Sequence, residues 1–316
     1  MRQAQESLKP FKKKYIRVLK DILQYIRNYL RDSDKKQFIR VSIFCGLLIF
    51  FNYYFQLYTI AVKNNSFPVK LIIWTAVFMV ALIVPVYWSV KNRKPASSLS
   101  LSFYLFLIIA PVLFAIKCSL SFRFPFSYNN TVNQYWNTVI YWPLLGLIML
   151  LLLLLARHFI LKDKTDFGAG RPLNSMKPYI LMLLLMLPFI AFASTQADFQ
   201  SIYPKLYSAT GGPVSSWQAL LFELSYGTDF ITIELFFRGF MVLSLVRWLG
   251  KEAILPVAVF YCSIHFGKPL AECISSYFGG ILLGIVVYHT RSIRGGLLVH
   301  LGIAWMMEIA GILVRS

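Results

Sequence analysis

Charged residues are scarce in this sequence, and acidic residues are the scarcest of them. Asp, Glu, Lys and Arg together make up 14% of the 316 residues, while 58% are hydrophobic. A soluble domain carries about 25% charged and about 45–50% apolar residues. This shortage of charge excludes an ordinary soluble enzyme, a disordered chain and a DNA-binding domain. A mean hydropathy of +0.62 indicates instead a polytopic membrane protein.

Cysteine is also sparse. The four cysteines lie in or beside apolar runs, with the spacing of neither a disulfide framework nor a zinc finger. The 13 acidic residues stand against 32 Lys and Arg, which gives a formal net charge of +19. On a soluble protein this excess would indicate nucleic acid. On so apolar a chain it indicates cytoplasmic loops beside anionic lipid, so we expect lipid contact and no nucleic-acid partner.

Long apolar runs define eight or nine candidate membrane-spanning segments. A helix needs about 20 apolar residues to cross the bilayer core, and an open sheet would leave backbone groups without hydrogen bonds in lipid. The candidate spans are residues 41–62, 71–90, 99–116, 138–156, 179–195, 217–246, 252–267, 271–289 and 295–314. The sequence therefore predicts an all-α fold, a polytopic helical bundle of eight or nine spans. We divide it into a basic segment 1–40, a scaffold 41–200 and a region 215–314 of different chemistry.

The first 40 residues differ from the rest because they contain 12 Lys and Arg. Apolar residues such as Ile16, Leu19, Leu23 and Ile26 recur between them at roughly helical spacing. This pattern predicts a basic amphipathic helix on the inner leaflet, and a helix packed on the protein's own loops is the alternative. The later loops alternate between rich and poor in Lys and Arg, which predicts a cytoplasmic N-terminus.

Ionisable residues within apolar segments are concentrated towards the C-terminus. No Asp or Glu occurs between Asp34 and Asp163, whereas six acidic residues and three of the four histidines follow residue 220. Such groups are costly in lipid and are a functional-site hypothesis by default. We therefore expect the last hundred residues to carry the chemistry of the protein.

Three apolar segments in this region carry residues of matching chemistry. Glu234 and Arg238 are one helical turn apart and can pair, His265 follows Tyr261 by four positions, and His300 lies in the last helix. An ion pair or a core histidine taken alone would only fix helix packing. One carboxylate and two histidines together can activate water by general base catalysis, or bind zinc as two His plus one Glu.

The order and spacing of these residues resemble the CAAX-protease and bacteriocin-processing (CPBP, or Abi) family of intramembrane proteases, which includes the type II CAAX prenyl endopeptidases. That family has a Glu-Glu pair followed after three residues by Arg, then an aromatic residue four positions before His, then a His four positions before Asn or Asp. The matching positions here are Ile233-Glu234 with Arg238, Tyr261 with His265, and His300 with Ala304. The resemblance extends over about residues 215–310.

The resemblance implies an endopeptidase that hydrolyses a peptide or protein substrate at the membrane. Glu234 is then expected to activate water with polarisation by His265, and His300 to stabilise the oxyanion. Arg238 is expected to keep Glu234 ionised, since an opposite charge offsets the desolvation of a buried carboxylate. Tyr261 supports this site as the aromatic residue of the second motif. No cofactor is implied, and zinc held by Glu234, His265 and His300 is the alternative.

Two positions depart from the pattern of the family. Ile233 replaces the first Glu, and Ala304 replaces the Asn or Asp, a donor whose loss typically costs about 10²–10³ in rate. Asp229 lies one turn before Ile233 and Glu308 one turn after Ala304, on the same helix faces. We therefore hypothesise that both carboxylates extend the polar cavity; the alternative is that they are ordinary hydrogen-bonding residues of the helices.

Two other functions remain open at this point. The departures at Ile233 and Ala304 favour a non-catalytic relative, a membrane protein with an immunity, binding or regulatory role. A proton-coupled transporter could use the same buried carboxylates, although the lack of an internal repeat counts against it.

Overall fold

The computed structural model describes residues 22–91, 99–162, 166–173, 175–210 and 214–315, and over these residues it contains helices and no strand. The predicted all-α fold is thus confirmed. The helices are α1 (22–32), α2 (Lys35–Tyr54), α3 (Phe67–Lys91), α4 (Leu101–Ser119), α5 (Asn130–Ala156), α6 (Lys177–Ser194), α7 (Ala197–Gln200), α8 (Lys205–Thr210), α9 (Ser216–Glu234), α10 (Leu243–Leu249), α11 (Ile254–Ser263), α12 (Leu270–Thr290) and α13 (Arg294–Arg315).

Seven of the described helical segments are long and apolar enough to cross a membrane, judged by length and composition. They are α2, α3, α4, α5 with its extension to Leu161, α6, α12 and α13. The predicted span 217–246 is divided between α9, a π-helix over Leu235–Val242, and α10. The predicted segment 252–267 contains α11, which has only 10 residues. The chain is an integral membrane protein, and its spans agree roughly in number with the predicted eight or nine.

The first span begins and ends earlier than predicted, at Lys35–Tyr54 instead of 41–62. It begins early because the Asp34 carboxylate accepts hydrogen bonds from the backbone N–H groups of Lys36 and Gln37, at 2.9 and 3.4 Å, and so caps the helix. It ends early because Gln56 has a φ of +50°, which an α-helix cannot contain. A local polar cap and a local backbone break therefore override the apolar pattern.

The predicted amphipathic segment lies partly outside the described residues, which begin at residue 22. Its described part, α1, is packed on the protein's own helices. The Ile22 side chain is buried in a cluster with Val286 of α12 and Val299 of α13, and the Tyr25 ring stacks on His289 with centroids 4.3 Å apart. The opposite side of α1 leaves Leu23 57% exposed.

An aromatic core fixes the segments that carry the site. Phe114 of α4 contacts both Phe236 and Phe237 of the π-helix, with ring centroids 4.8 and 4.9 Å apart. Phe78 of α3 contacts Phe260 of α11 at 4.8 Å. All five rings are buried, and each such pair contributes about 0.5–1.5 kcal/mol beyond the area it buries. The scaffold helices α3 and α4 therefore hold the π-helix and α11 in a fixed relation.

The turn between α11 and α12 is attached to the end of α2. The Asn52 side-chain amide donates to the Phe266 carbonyl at 2.9 Å, and the Tyr53 hydroxyl donates to the Lys268 carbonyl at 2.6 Å. These bonds satisfy backbone groups that no helix pairs, and they fix the turn that carries His265.

Candidate active site

Glu234 is the last residue of α9, and its side chain is fully buried. Its carboxylate oxygen Oε1 lies 3.1 Å from His300 Nδ1 on α13 and 3.3 Å from Arg238 Nη1. The three residues, which the sequence places on two distant segments, therefore meet at one carboxylate. A buried carboxylate needs such partners, because an uncompensated charge away from water is strongly destabilising.

Arg238 reaches this carboxylate from the π-helix that follows Glu234 directly. A π-helix is rare and is frequently found at functional sites. The Arg238 guanidinium is also buried, and its Cζ lies 4.2 Å from the centroid of the Tyr261 ring. The cation is thus held between a carboxylate and an aromatic face, and both attract it.

Tyr261 joins α11 to the other two elements. Its hydroxyl lies 2.9 Å from His300 Nε2, while the other ring nitrogen of His300 faces Glu234. The arrangement that satisfies both contacts has Nδ1–H donating to the carboxylate and Nε2 accepting from the Tyr261 hydroxyl. The Phe230 ring packs edge-on against His300 with centroids 4.8 Å apart. The His300 imidazole is therefore held on three sides.

His265 lies on the other side of Tyr261. Its Nδ1 is 3.0 Å from the Tyr261 carbonyl oxygen, and the two rings meet edge to face with centroids 4.9 Å apart. The resemblance predicts His265 as the residue that polarises Glu234, whereas the structure places His300 on that carboxylate. His265 lies two residues beyond the end of α11, and its ring faces the Tyr261 backbone.

Gly296 provides the room for Glu234. A Cβ atom built on Gly296 would lie 2.5 Å from Glu234 Oε2, closer than real Cβ contacts allow. The first turn of α13 therefore approaches the carboxylate through a backbone without a side chain. In this way α13 both supports Glu234 with Gly296 and holds it with His300.

The two carboxylates proposed to extend the cavity have other partners. Asp229 Oδ1 lies 2.7 Å from Lys117 Nζ on α4, in a pair that is mostly buried. Glu308 accepts hydrogen bonds from the backbone N–H groups of Lys205 and Leu206, the first at 2.9 Å to Oε2, at the start of α8. Both contacts correspond to the alternative of hydrogen-bonding residues that join helices.

The two departures from the family pattern lie in apolar surroundings. Ile233 and Ala304 are 8% and 5% exposed, and both belong to the main hydrophobic core. The position of the missing first Glu thus holds a buried apolar side chain that packs in the core.

A second polar cluster, which the sequence does not predict, lies next to His265; we call it the outer cluster, and it contains Tyr203, Lys205, Lys268 and Glu272. Lys268 Nζ lies 3.3 Å from Glu272 Oε1, and the Tyr203 hydroxyl donates to Glu272 Oε2 at 3.1 Å. Lys205 Nζ lies 4.3 Å from the centroid of the Tyr226 ring. Burial and the neighbouring Lys268 ammonium lower the pKa of Lys205 below its usual range. The i,i+4 spacing of Lys268 and Glu272 is a signal in the sequence, but nothing local brings Tyr203 and Lys205 to them.

The zinc alternative needs three side chains that converge on one point. Over the residues that the structure describes, no group of three or more His, Cys, Asp and Glu side chains is arranged to hold a metal ion. Glu234 and His300 are in contact, but His265 makes its contact with the Tyr261 backbone instead. The set that the zinc alternative needs does not fit this geometry.

Comparison with known proteins identifies a family for this part of the chain. Residues 215–306 match the family model described as type II CAAX prenyl endopeptidase Rce1-like. The match covers less than a third of the chain and contains Glu234, Arg238, Tyr261, His265 and His300. No curated protein and no solved structure matches the chain. The resemblance stated from the motifs is thereby confirmed for this region.

Proposed function

We propose that this chain, whose residues 215–306 form an Rce1-like domain of the type II CAAX prenyl endopeptidases, is an intramembrane endopeptidase that hydrolyses a membrane-associated peptide. The observation that carries the proposal is the contact of Glu234 with His300 and Arg238 inside the helical bundle. A packing role would need only one partner for the carboxylate. Glu234 has two, the Arg238 guanidinium and the His300 imidazole.

Glu234 activates the water in this proposal. Its Oε1 faces Arg238 and His300, while its buried Oε2 makes no hydrogen bond to a described residue. Arg238 Nη1 faces Oε1, while the buried Nη2 makes no hydrogen bond to a described residue. An unsatisfied buried polar group costs about 1–3 kcal/mol, which a bound water or a substrate carbonyl would offset. One acceptor and one donor on the same ion pair suit a water nucleophile and the oxyanion formed by its attack.

His300 positions the carboxylate that moves the proton. With Nδ1–H donating to Glu234 and Nε2 accepting from the Tyr261 hydroxyl, the imidazole orients the carboxylate, which removes a proton from water and passes it to the leaving amine. For the oxyanion role that the resemblance implies, the His300 Nδ1–H would turn from Glu234 to the substrate oxygen. His265, on the far side of Tyr261, contributes through the Tyr261 backbone and through the outer cluster.

A substrate reaches the site only if the helices around Glu234 separate. The Glu234 side chain is 0% exposed, and the His300 side chain is 14% exposed. We propose that the peptide approaches along His300, the more accessible member, and that the chain lies in a plasma membrane with its N-terminus in the cytoplasm. Lipid and the peptide are its partners.

The test is a cleavage assay in liposomes with quenched fluorescent peptides that end in a CAAX sequence, with and without a prenyl group. We expect Glu234→Gln to lower the rate about 10²–10⁴-fold, the range that general base catalysis contributes. Glu223→Gln is the matched control, because Glu223 lies three turns earlier on the same helix and does not contact His300. For His300→Ala the matched control is His158→Ala, at the end of α5.

Equal rates for wild type, Glu234→Gln and His300→Ala would overturn the proposal. Cleavage only of prenylated peptides would assign the substrate class that the name of the family describes, and cleavage of both would assign a broader one. Metal content of the purified protein, with activity measured in the presence of a chelator, tests the zinc alternative.

A non-catalytic relative is the second candidate function. It is favoured by Ile233 and Ala304, which occupy two motif positions with buried apolar side chains. Under this reading the protein shows no cleavage above that of Glu234→Gln with any peptide, while Glu234→Gln still lowers stability.

A further inference from the structure

We propose that a pocket lined by three arginines at one end of the bundle binds a phosphate group, carried by an anionic lipid headgroup or present as free phosphate. The pocket has a volume of about 250 Å³. Its lining consists of Asp166, Gly168, Arg171, Leu243, Ser244, Arg247 and Arg291. None of these residues belongs to the candidate active site.

The charge of the pocket suits an anion. Three guanidinium groups stand against one carboxylate, and the Asp166 oxygens already accept hydrogen bonds from the backbone N–H groups of Gly168 and Gly170, at 3.0 and 2.8 Å. Arg171 and Arg247 are exposed at the pocket surface. A guanidinium presents paired donors that match the oxygens of a phosphate, which explains why Arg is favoured at phosphate sites.

The walls of the pocket are joined by specific hydrogen bonds. The Ile293 backbone N–H donates to the Gly168 carbonyl at 3.2 Å, and the Ser292 hydroxyl donates to the Arg171 carbonyl at 2.9 Å. Gly168 has a φ of +76°, and a Cβ at this position would lie 2.7 Å from the Arg291 carbonyl oxygen. The two connections that carry Arg171 and Arg291 are therefore held together by a contact that only glycine permits.

The location of the pocket suits a lipid headgroup. It lies between the α5–α6 connection, α10 and the α12–α13 connection. The Lys and Arg bias of these connections predicts that this end is on the cytoplasmic side. Basic pockets between helices on that side bind anionic headgroups, and each basic residue near such a surface contributes about 1 kcal/mol.

Direct binding to the detergent-solubilised full chain tests the proposal. Native mass spectrometry would count bound phosphatidylglycerol, with phosphatidylcholine as the neutral reference, and inorganic phosphate would be titrated separately and as a competitor. We expect tighter binding of phosphatidylglycerol than of phosphatidylcholine. We also expect a loss of about fivefold in affinity for Arg171→Gln and for Arg291→Gln.

Arg40→Gln is the matched control. It removes one exposed arginine from α2 at the same end of the bundle, outside the pocket, and we expect it to bind like the wild type. Phosphate that competes with the lipid supports a shared site. Phosphate that binds with the same arginine dependence, while the lipid does not, assigns the pocket to a soluble phosphate.

Two results would overturn the proposal. One is equal binding of the two lipids together with no phosphate binding by the wild type, a measurement that needs no variant to fold. The other is a loss of affinity in Arg40→Gln as large as that in Arg171→Gln and Arg291→Gln, since it would show general surface charge instead of a pocket.

Discussion

The substitution Gly296→Ala tests whether the position of the Glu234 carboxylate is what the site depends on. The added Cβ would lie 2.5 Å from Oε2 and 3.3 Å from Cδ, whereas ordinary contact begins at 3.4 Å. The carboxylate must therefore move by nearly 1 Å. Misplacement of a catalytic group by about 1 Å can lower the rate about 10²-fold. Because Oε1 is held by His300 at 3.1 Å and Arg238 at 3.3 Å, the movement disturbs at least one of these contacts.

The effect on stability has two opposing parts. Replacing Gly by Ala inside a helix is favourable by about 1 kcal/mol. Loss of a hydrogen bond to a charged group costs about 1.5–3 kcal/mol. We therefore expect Gly296→Ala to lower the free energy of unfolding by about 0.5–2 kcal/mol. The activity with membrane peptides should fall about 10²-fold.

Equilibrium unfolding in mixed micelles, followed by tryptophan fluorescence, measures the stability, and the liposome cleavage assay measures the activity. Gly279→Ala is the matched control, because a Cβ on this α12 residue would meet nothing within 4 Å. We expect it to be neutral or slightly stabilising. In the background of Glu234→Ala the cost of Gly296→Ala should disappear, since the clashing group is gone. The reasoning would be refuted if Gly296→Ala matched Gly279→Ala in both measurements, or if its cost were unchanged beside Glu234→Ala.

Three further predictions follow from other contacts. Lys117→Met should lower the free energy of unfolding by about 3–5 kcal/mol, because it leaves Asp229 buried without its cation. Adding Asp229→Leu should recover most of this loss. A Lys117→Met variant as stable as the wild type would contradict the prediction. Tyr261→Phe keeps the ring over Arg238 but removes the hydrogen bond to His300. We expect its activity to be about tenfold lower and its stability to be near normal. Tyr261→Leu also removes the ring, so it should lower both activity and stability. Glu308→Ala should speed amide hydrogen exchange at Lys205 and Leu206 more than elsewhere in the chain, since their N–H groups lose their acceptor; uniform exchange would argue against the cap.

Membrane character and the sequence of spans could be predicted because lipid imposes a simple requirement on the chain. Every backbone group must be paired within the segment, so length and hydropathy identify a helix without knowledge of its neighbours. The predicted helix boundaries were wrong where a single local contact or backbone angle determines the end of a helix. Asp34 extends α2 towards the N-terminus, and the positive φ of Gln56 ends it early. The π-helix at Leu235–Val242 leaves no mark in the hydropathy pattern.

The candidate site was partly predictable for a related reason. Glu234 and Arg238 lie close in the chain, so their pairing follows from helix geometry. Tyr261 and His265 share one segment, but which histidine reaches Glu234 depends on where α11 ends and how α13 crosses it. Asp229 and Glu308 occupy the faces that the spacing predicts, yet their carboxylates bind Lys117 and the start of α8. Helix periodicity specifies a face, while the partner on that face comes from another part of the chain.

The sequence by itself therefore determined the membrane class, the all-α architecture and the set of ionisable residues that a bilayer makes costly. It also determined the family that residues 215–306 resemble, since the order and spacing of the motifs can be recognised in the sequence alone. Only the tertiary structure decided that His300 and not His265 contacts Glu234, that Gly296 makes room for the carboxylate, and that Arg171, Arg247 and Arg291 share a pocket. These are contacts between residues far apart in the chain, and their geometry depends on the packing of whole helices, which no local pattern encodes.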